Sequence, residues 1–428
     1  MTTIHHLPGL ILTDHFFRVP LDHAQPDGEQ IDVFARELVD PDKAGRSLPW
    51  LVFFQGGPGF PSPRPSASSG WIKRALQDYR VLLLDQRGTG RSTPLTFQTL
   101  ARFDSPQAQA EYLMHFRADS IVKDAEWIRR QLVGENEPWS ALGQSFGGFC
   151  VTHYLSAAPG GLREAIITGG LPPIDRPVDD VYKATYRRVI EKNRLYYDRY
   201  PGDVEQVQAI AAYLADHEVT LPSGGRLTPR RFQQLGMGFG ASDGFEPVHY
   251  LLETAFVPGR NGPELSYTFL RGLENMQSFD TNPIYALLHE AEYCQQEASR
   301  WSAERVRASF PEFEISPGKP VYFTGEMIYP WMFDEYTGLT SLKEAAEILA
   351  RYEDWPRLYD KSVLENNTVP CAAAVYYNDM YVERQYSEET ASCIRGIKLW
   401  VTNEFEHDGL RTGGERLFSR LLDLIHGR

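Results

Sequence analysis

At 428 residues the chain exceeds one minimal core, and its 42% hydrophobic and 23% charged residues exclude global disorder. A formal net charge of −14 repels nucleic-acid phosphates and speaks against a DNA or RNA partner. Cys150, Cys294, Cys371 and Cys393 are too few and too scattered for a disulfide scaffold or a zinc site, and no apolar run reaches the roughly 18 residues of a membrane span.

The first twenty residues lack the positive and apolar regions of a signal peptide, so a soluble, cytoplasmic protein with no membrane partner is expected. Two β-rich pieces, HFFRVPLDH (15–23) and IDVFAREL (31–38), flank Asp27-Gly28, a hairpin signal. WLVFFQGG (50–57) and RVLLLDQRG (80–88) are continuous apolar runs, the pattern of strands covered on both faces. Between them, Phe60–Gly70 reads as a surface loop. SIVKDAEWIRRQL (120–132) has helical spacing, PWSALGQS (138–145) is a short strand, FGGFCVTHYLSAA (146–158) is a helix and LREAIITGG (162–170) is another strand.

This alternation predicts an α/β fold with a predominantly parallel central sheet. From 171 to 366 helical stretches dominate, among them 181–200 and 282–301, before strand patterns return at 369–379 and 397–407. The expected organisation is a catalytic core of residues 1–170 and 367–428 interrupted by a mainly helical cap, 171–366.

Gly143-Gln144-Ser145-Phe146-Gly147 matches G-x-S-x-G between a strand and a helix. In that context the motif is a nucleophile elbow of the α/β-hydrolase type, with the serine at the carboxyl end of the sheet. A serine nucleophile needs a base and an acid that orients the base. In this architecture both follow the serine, each after a core strand. The first remaining strand pattern ends in Tyr377-Asn378-Asp379, the second leads to Glu404-Phe405-Glu406-His407-Asp408. Asp379 is therefore the expected acid and His407 the expected base. Glu404, Glu406 and Asp408 compete for the acid's role, but their nearness in sequence makes good geometry to the imidazole difficult. His426 lies in a terminal helix pattern and reads as a surface residue. The glycine-rich turn in FFQGGPG (53–59) offers the backbone N–H of Gly57, which with that of Phe146 can form an oxyanion hole. In DQRGTGRS (85–92), Asp85 and Arg87 are expected to brace the oxyanion loop and elbow by charge-assisted hydrogen bonds.

Taken together, Gln55-Gly56-Gly57-Pro58-Gly59, Asp85–Ser92, Gly143–Gly148 and the spacing from Asp379 to His407 resemble the proline iminopeptidases, in particular their longer bacterial subgroup. Gln55 departs from the histidine common at the start of the family's loop. The resemblance implies a serine aminopeptidase that releases N-terminal proline from peptides through an acyl-enzyme on Ser145, with no metal and no cofactor. It also implies cap carboxylates that bind the substrate amine. Glu326, in the aromatic setting of TGEMIYP, is the first candidate; Glu274 in GLENMQSF is the second and Glu290 the third. Phe146, Tyr329 and Trp331 are candidates for a proline pocket.

A broader aminopeptidase or a carboxylesterase would use the same triad, although the Tyr-, Arg- and Glu-rich insertion differs from an apolar lipase lid. Epoxide hydrolases and dehalogenases carry aspartate at the nucleophile position, where this chain has Ser145. A non-catalytic binding module of the same fold would be expected to have lost a triad member.

Overall fold

Segments such as Leu51–Phe54, Val81–Leu84 and Cys371–Tyr376 are buried at every residue, which a strand tolerates when both faces of its sheet are covered. The computed structural model describes residues 3–428; Met1 and Thr2, counted with the core above, lie outside the described residues. Its strands before the long insertion are β1 (Thr3–Leu7), β2 (Leu10–Pro20), β3 (Gln30–Val39), β4 (Trp50–Phe54), β5 (Arg80–Leu84), β6 (Trp139–Gln144) and β7 (Leu162–Thr168). Two small hairpins follow, β8 (Val219–Thr220) with β9 (Arg226–Leu227) and β10 (Phe256–Gly259) with β11 (Gly262–Leu265). The chain then returns as β12 (Cys371–Tyr376) and β13 (Lys398–Thr402).

Nine of these strands form one sheet in the order β1-β2-β3-β5-β4-β6-β7-β12-β13. Pairing is antiparallel from β1 to β5 and parallel from β5 through β13. Alternation along the strands splits their side chains between two apolar clusters. Leu51, Phe53, Val81, Leu83 and Leu142 meet Trp71 and the C-terminal helix Gly409–His426 through Leu417, Phe418 and Leu421. Val52, Phe54, Leu82, Leu84 and Ala141 face the helices Ala118–Leu132 and Phe146–Ala157.

The N-terminal hairpin is larger than its sequence signal: β2 begins at Leu10, β1 adds a further strand, and residues 21–29 connect β2 to β3. A second difference lies at 282–301, expected as helix. Only Pro283–Leu288 is α-helical, followed by a 3₁₀ turn at Glu290–Glu292. The Glu290 carboxylate accepts from the N–H groups of Ser302 and Ala303 at 3.1 and 2.9 Å. Tertiary bonds also hold the intervening chain, Gln296 N–H to Trp355 O at 2.8 Å and Arg300 N–H to Ala350 O at 2.7 Å. These contacts turn the backbone away from a continuous helix. Elsewhere the insertion is helical, as in Val178–Arg199, whose Tyr182, Tyr186 and Tyr196 are buried. Among the described residues no helix is long and apolar enough to cross a membrane.

Candidate active site

Ser145 stands between the end of β6 and the start of the helix Phe146–Ala157 with φ 54° and ψ −127°. Positive φ is costly for a residue with a Cβ and persists where the surroundings over-determine it. Here Ser145 N–H donates to Thr168 O at 3.0 Å, and Gly148 N–H donates to Ser145 O at 2.7 Å. The flanking glycines permit the turn by close backbone approach. A Cβ on Gly143 would overlap the Gly147 carbonyl, and one on Gly147 would overlap the Phe54 carbonyl at the end of β4. The serine hydroxyl makes no hydrogen bond to the protein among the described residues.

Asp379 and His407 come from the loops after β12 and β13. His407 Nδ1 lies 2.8 Å from Asp379 Oδ2, and the other carboxylate oxygen accepts from Tyr381 N–H and Val382 N–H at 2.8 and 3.0 Å. These bonds aim a buried carboxylate at the imidazole and set Nδ1–H as the donor. Burial pulls the His407 pKa down, but the charge and hydrogen bond of Asp379 outweigh it and the net shift is upward, with Glu326 adding to it. The competing acids have other partners: Lys192 for Glu406 at 2.7 Å, Arg416 for Glu404, and Ser242 with Arg411 for Asp408. His426 is exposed, as expected, and pairs with Glu164 at 2.8 Å.

Serine and imidazole meet the same turn after β7. A Cβ on Gly169 would lie 3.2 Å from His407 Nδ1, while one on Gly170 would overlap Ser145 O. Against the serine's other side runs the turn after β4, where a Cβ on Gly56 would lie 2.9 Å from Ser145 Cβ. Gly57 follows at φ 135°, a conformation that favours glycine. Gln86 Nε2 donates to Gln55 O at 2.9 Å and ties this loop to the segment after β5. Asp85 braces the adjacent chain, accepting from Ser62 N–H at 3.0 Å and from Arg64 Nη1 at 2.9 Å. Arg87 differs from expectation: it does not touch the elbow. Its guanidinium binds Asp124 through Nε at 2.7 Å and the carbonyls of Leu21 and His115 at 2.8 Å, because Asp124 is the buried acid that faces it.

The insertion also gathers a cluster of charge. Tyr285 donates to Glu326, whose Oε2 lies 3.5 Å from His289 Nε2. His289 Nδ1 lies 3.9 Å from Glu292 Oε1 and 3.3 Å from the Tyr182 hydroxyl. The His289 side chain is 1% exposed and that of Glu292 5%. Burial raises the Glu292 carboxyl to about 8 against the partial opposition of His289. Burial would lower His289, yet Glu292 and Glu326 together lift it to about 9. Glu326 is pushed up by burial and pulled further down by His289 and Tyr285, ending below its ordinary value, with His407 contributing. Geometry links the two groups through tyrosines: Tyr285, which donates to Glu326, lines one cavity with Tyr381, whose ring packs against that of His407.

Glu274 is not brought to this cluster. Its carboxylate accepts from Ser223 N–H at 2.9 Å and from Arg271, one turn back on its helix, at 2.7 Å, and these two donors hold it there. Glu290 serves the start of the helix Ser302–Arg307, as described. Tyr329 and Trp331 stack on each other at 5.4 Å, with Tyr329 bonded to Tyr186 and Arg230 over Trp331. Phe146 packs on Phe149. A cavity of about 240 Å³ is instead lined by Phe60, Leu235, Met237, Phe279, Tyr285 and Tyr381, and the Tyr381 ring lies 4.6 Å from that of His407. Sequence reasoning missed Glu292, His289, Tyr285 and Tyr381. The available signal was His289-Glu290-Ala291-Glu292, three ionisable residues directly after the apolar stretch Ile284–Leu288. Among the described residues no three His, Cys, Asp or Glu side chains are arranged to hold a metal ion.

The strand order, the strained serine and the imidazole–carboxylate pair define a member of the α/β-hydrolase class. The alpha/beta hydrolase fold family matches residues 49–213. The chain is 53% identical over 419 residues to a proline iminopeptidase of Aeromonas sobria, covering 98% of this chain and 97% of that one. It is 37% identical to a proline iminopeptidase of Aspergillus aculeatus, covering 99% and 96%. A crystal structure of proline iminopeptidase from Mycobacterium smegmatis aligns at 14% identity and a TM-score of 0.46, covering 96% and 98%. The chain belongs to the proline iminopeptidase family.

Proposed function

We propose that the protein is a serine aminopeptidase that releases N-terminal proline from peptides. In this reading His407 Nε2 takes the Ser145 proton as the serine oxygen attacks the prolyl carbonyl. Asp379 steadies the imidazolium that forms, and the N–H groups of Gly57 and Phe146 receive the oxyanion. The imidazolium then passes its proton to the leaving amine, which leaves a prolyl ester on Ser145. A water, deprotonated by His407, hydrolyses that ester and regenerates the serine.

The observation that carries the aminopeptidase reading is Glu326. It is a carboxylate bonded to Tyr285 and paired through His289 with a second carboxylate, Glu292, and Tyr285 shares a cavity with Tyr381, which packs on His407; a substrate ammonium desolvated there would meet the charge it needs. An esterase has no use for that pair. The small cavity lined by Phe60, Phe279, Tyr285 and Tyr381 suits a compact apolar ring. Family membership supports peptide substrates.

Two further readings belong here. The strands on either side of the helical insertion support a division into a core (1–170 and 367–428) and a cap (171–366). Four unpaired cysteines, three of them buried, support a cytoplasmic setting.

Hydrolysis of prolyl, alanyl, leucyl and N-blocked prolyl naphthylamides beside a short acyl ester tests the proposal. Fast turnover of free prolyl naphthylamide and none of its N-blocked form is expected. Ester turnover without prolyl activity would overturn the aminopeptidase reading.

A further inference from the structure

Two carboxylates and one imidazole form a row of Glu292, His289 and Glu326 with 3.9 and 3.5 Å between successive partners; His289 and Glu292 are buried and Glu326 keeps 13% of its side chain exposed. If all three are ionised the row carries one uncompensated negative charge, and burying such a charge is expensive. Other neighbours do little to cancel it. Tyr182, Tyr285 and Tyr293 face the row as neutral hydroxyls, with pKa values raised chiefly by burial and then by the nearby glutamates. Glu290 adds negative charge from the same turn, Arg117 acts on Glu292 from outside, and His407 acts on Glu326 from the triad side. The two carboxylates also differ in their partners. Glu326 accepts a hydrogen bond from Tyr285 and lies 3.5 Å from His289 Nε2, whereas Glu292 Oε2 is buried with no hydrogen-bond partner among the described residues.

We propose that His289 is the fixed counter-ion that positions Glu292 and Glu326 on the substrate amine, and that a proton on Glu292 holds the ammonium's place until substrate arrives. This rests on the aminopeptidase reading and deepens it. In the free enzyme the row is an imidazolium, one carboxylate and one carboxylic acid. When a secondary ammonium enters, Glu292 loses its proton to solvent, and the charge inside is again balanced by two cations and two carboxylates. No bond other than Glu292 O–H breaks. A neutral, N-blocked substrate cannot make this exchange, so it leaves the row unchanged and gains nothing from it. With the Glu292 carboxyl at about 8, linkage makes ammonium binding roughly 100-fold weaker at pH 6 than above pH 9. His289 is a positioning residue here. Its removal is expected to move the midpoint of that dependence upward, since the carboxylate pair loses its cation.

The test uses full-length enzyme carrying Ser145→Ala, with pyrrolidine as the probe because it stays cationic across this pH range. Calorimetric titrations in two buffers of different ionisation enthalpy count the protons released. The expected result is nearly one proton per pyrrolidine at pH 6, falling to none above pH 9, with affinity rising in parallel. Adding Glu292→Gln should leave binding independent of pH from 6 to 9, and adding His289→Gln should shift the midpoint upward. Binding without proton release, or release that survives Glu292→Gln and so belongs to His289 or His407, overturns this proposal while the amine subsite stands. An unmoved midpoint in His289→Gln overturns the role of His289. If pyrrolidine does not bind at any pH, the amine-subsite reading itself falls. The proton count in the Ser145→Ala enzyme needs neither cluster variant to fold.

Discussion

The elbow and the charged cluster above it are built by opposite means. Around Ser145 the chain is shaped by backbone meeting backbone: glycines at 143, 147 and 148 let β4, β6 and the turn after β7 approach until no Cβ fits. Around Glu326 the chain is shaped by side chains from distant segments, with Tyr182, Tyr285, His289 and Glu292 converging on one buried patch. The first arrangement is local and rigid, so its signature is a short motif. The second depends on long-range packing of bulky, polar-tipped residues, and no spacing rule announces it.

Experiments that separate chemistry from amine recognition sharpen this contrast, and the largest effect should come from the elbow. Ser145→Ala is expected to lower kcat by about 10⁴-fold or more while pyrrolidine binding in the cap persists. Asp379→Asn should cost about 10⁴-fold in kcat, because the amide favours the wrong imidazole tautomer. Gly147→Ala should act on the fold, with melting showing a loss of about 3 kcal/mol or more as the new methyl meets the Phe54 carbonyl. Survival of that variant with an unchanged melting point would break the backbone-contact account of the elbow.

Changes in the cap should appear in KM. Glu326→Gln is expected to raise KM for prolyl naphthylamide by about 10- to 100-fold, through loss of a charge-assisted contact. A short acyl ester without an amine should be spared, and equal loss on both substrates would break the division of labour. The acid limb of the kcat profile adds a smaller effect. His407 must be neutral to act as base, and its pKa is raised. Activity should therefore disappear as pH falls through a value above the ordinary histidine range of about 6.5. The smallest effect is expected from Glu274→Gln, with steady-state kinetics within about twofold of the unmodified enzyme, since its carboxylate serves Ser223 and Arg271.

Legibility followed the same divide. The sheet could be read because β4, β5, β6, β7 and β12 are covered on both faces and so appear as unbroken apolar runs. β1 could not, since Thr3–Leu7 is exposed or half-exposed throughout and carries His5 and His6 with no apolar stripe. The segment 282–301 has helical composition throughout, yet tertiary bonds at Glu290, Gln296 and Arg300 override propensity after Leu288. Glu274 and Glu292 look alike as sequence. They differ in what stands opposite them, an arginine and an amide in one case and a buried imidazole in the other.

By itself the sequence determined the order of strands and helices in the core, the elbow, and the chain positions of one acid and one histidine after the last two strands. Periodicity and close backbone packing leave their marks within a few neighbouring residues. Tertiary structure decided which glutamates meet the buried His289 and which aromatic rings line the cavity. Those outcomes depend on burial and on partners distant in sequence, such as Tyr285 with Glu326 and Tyr182 with His289, and burial is a property of the folded chain alone.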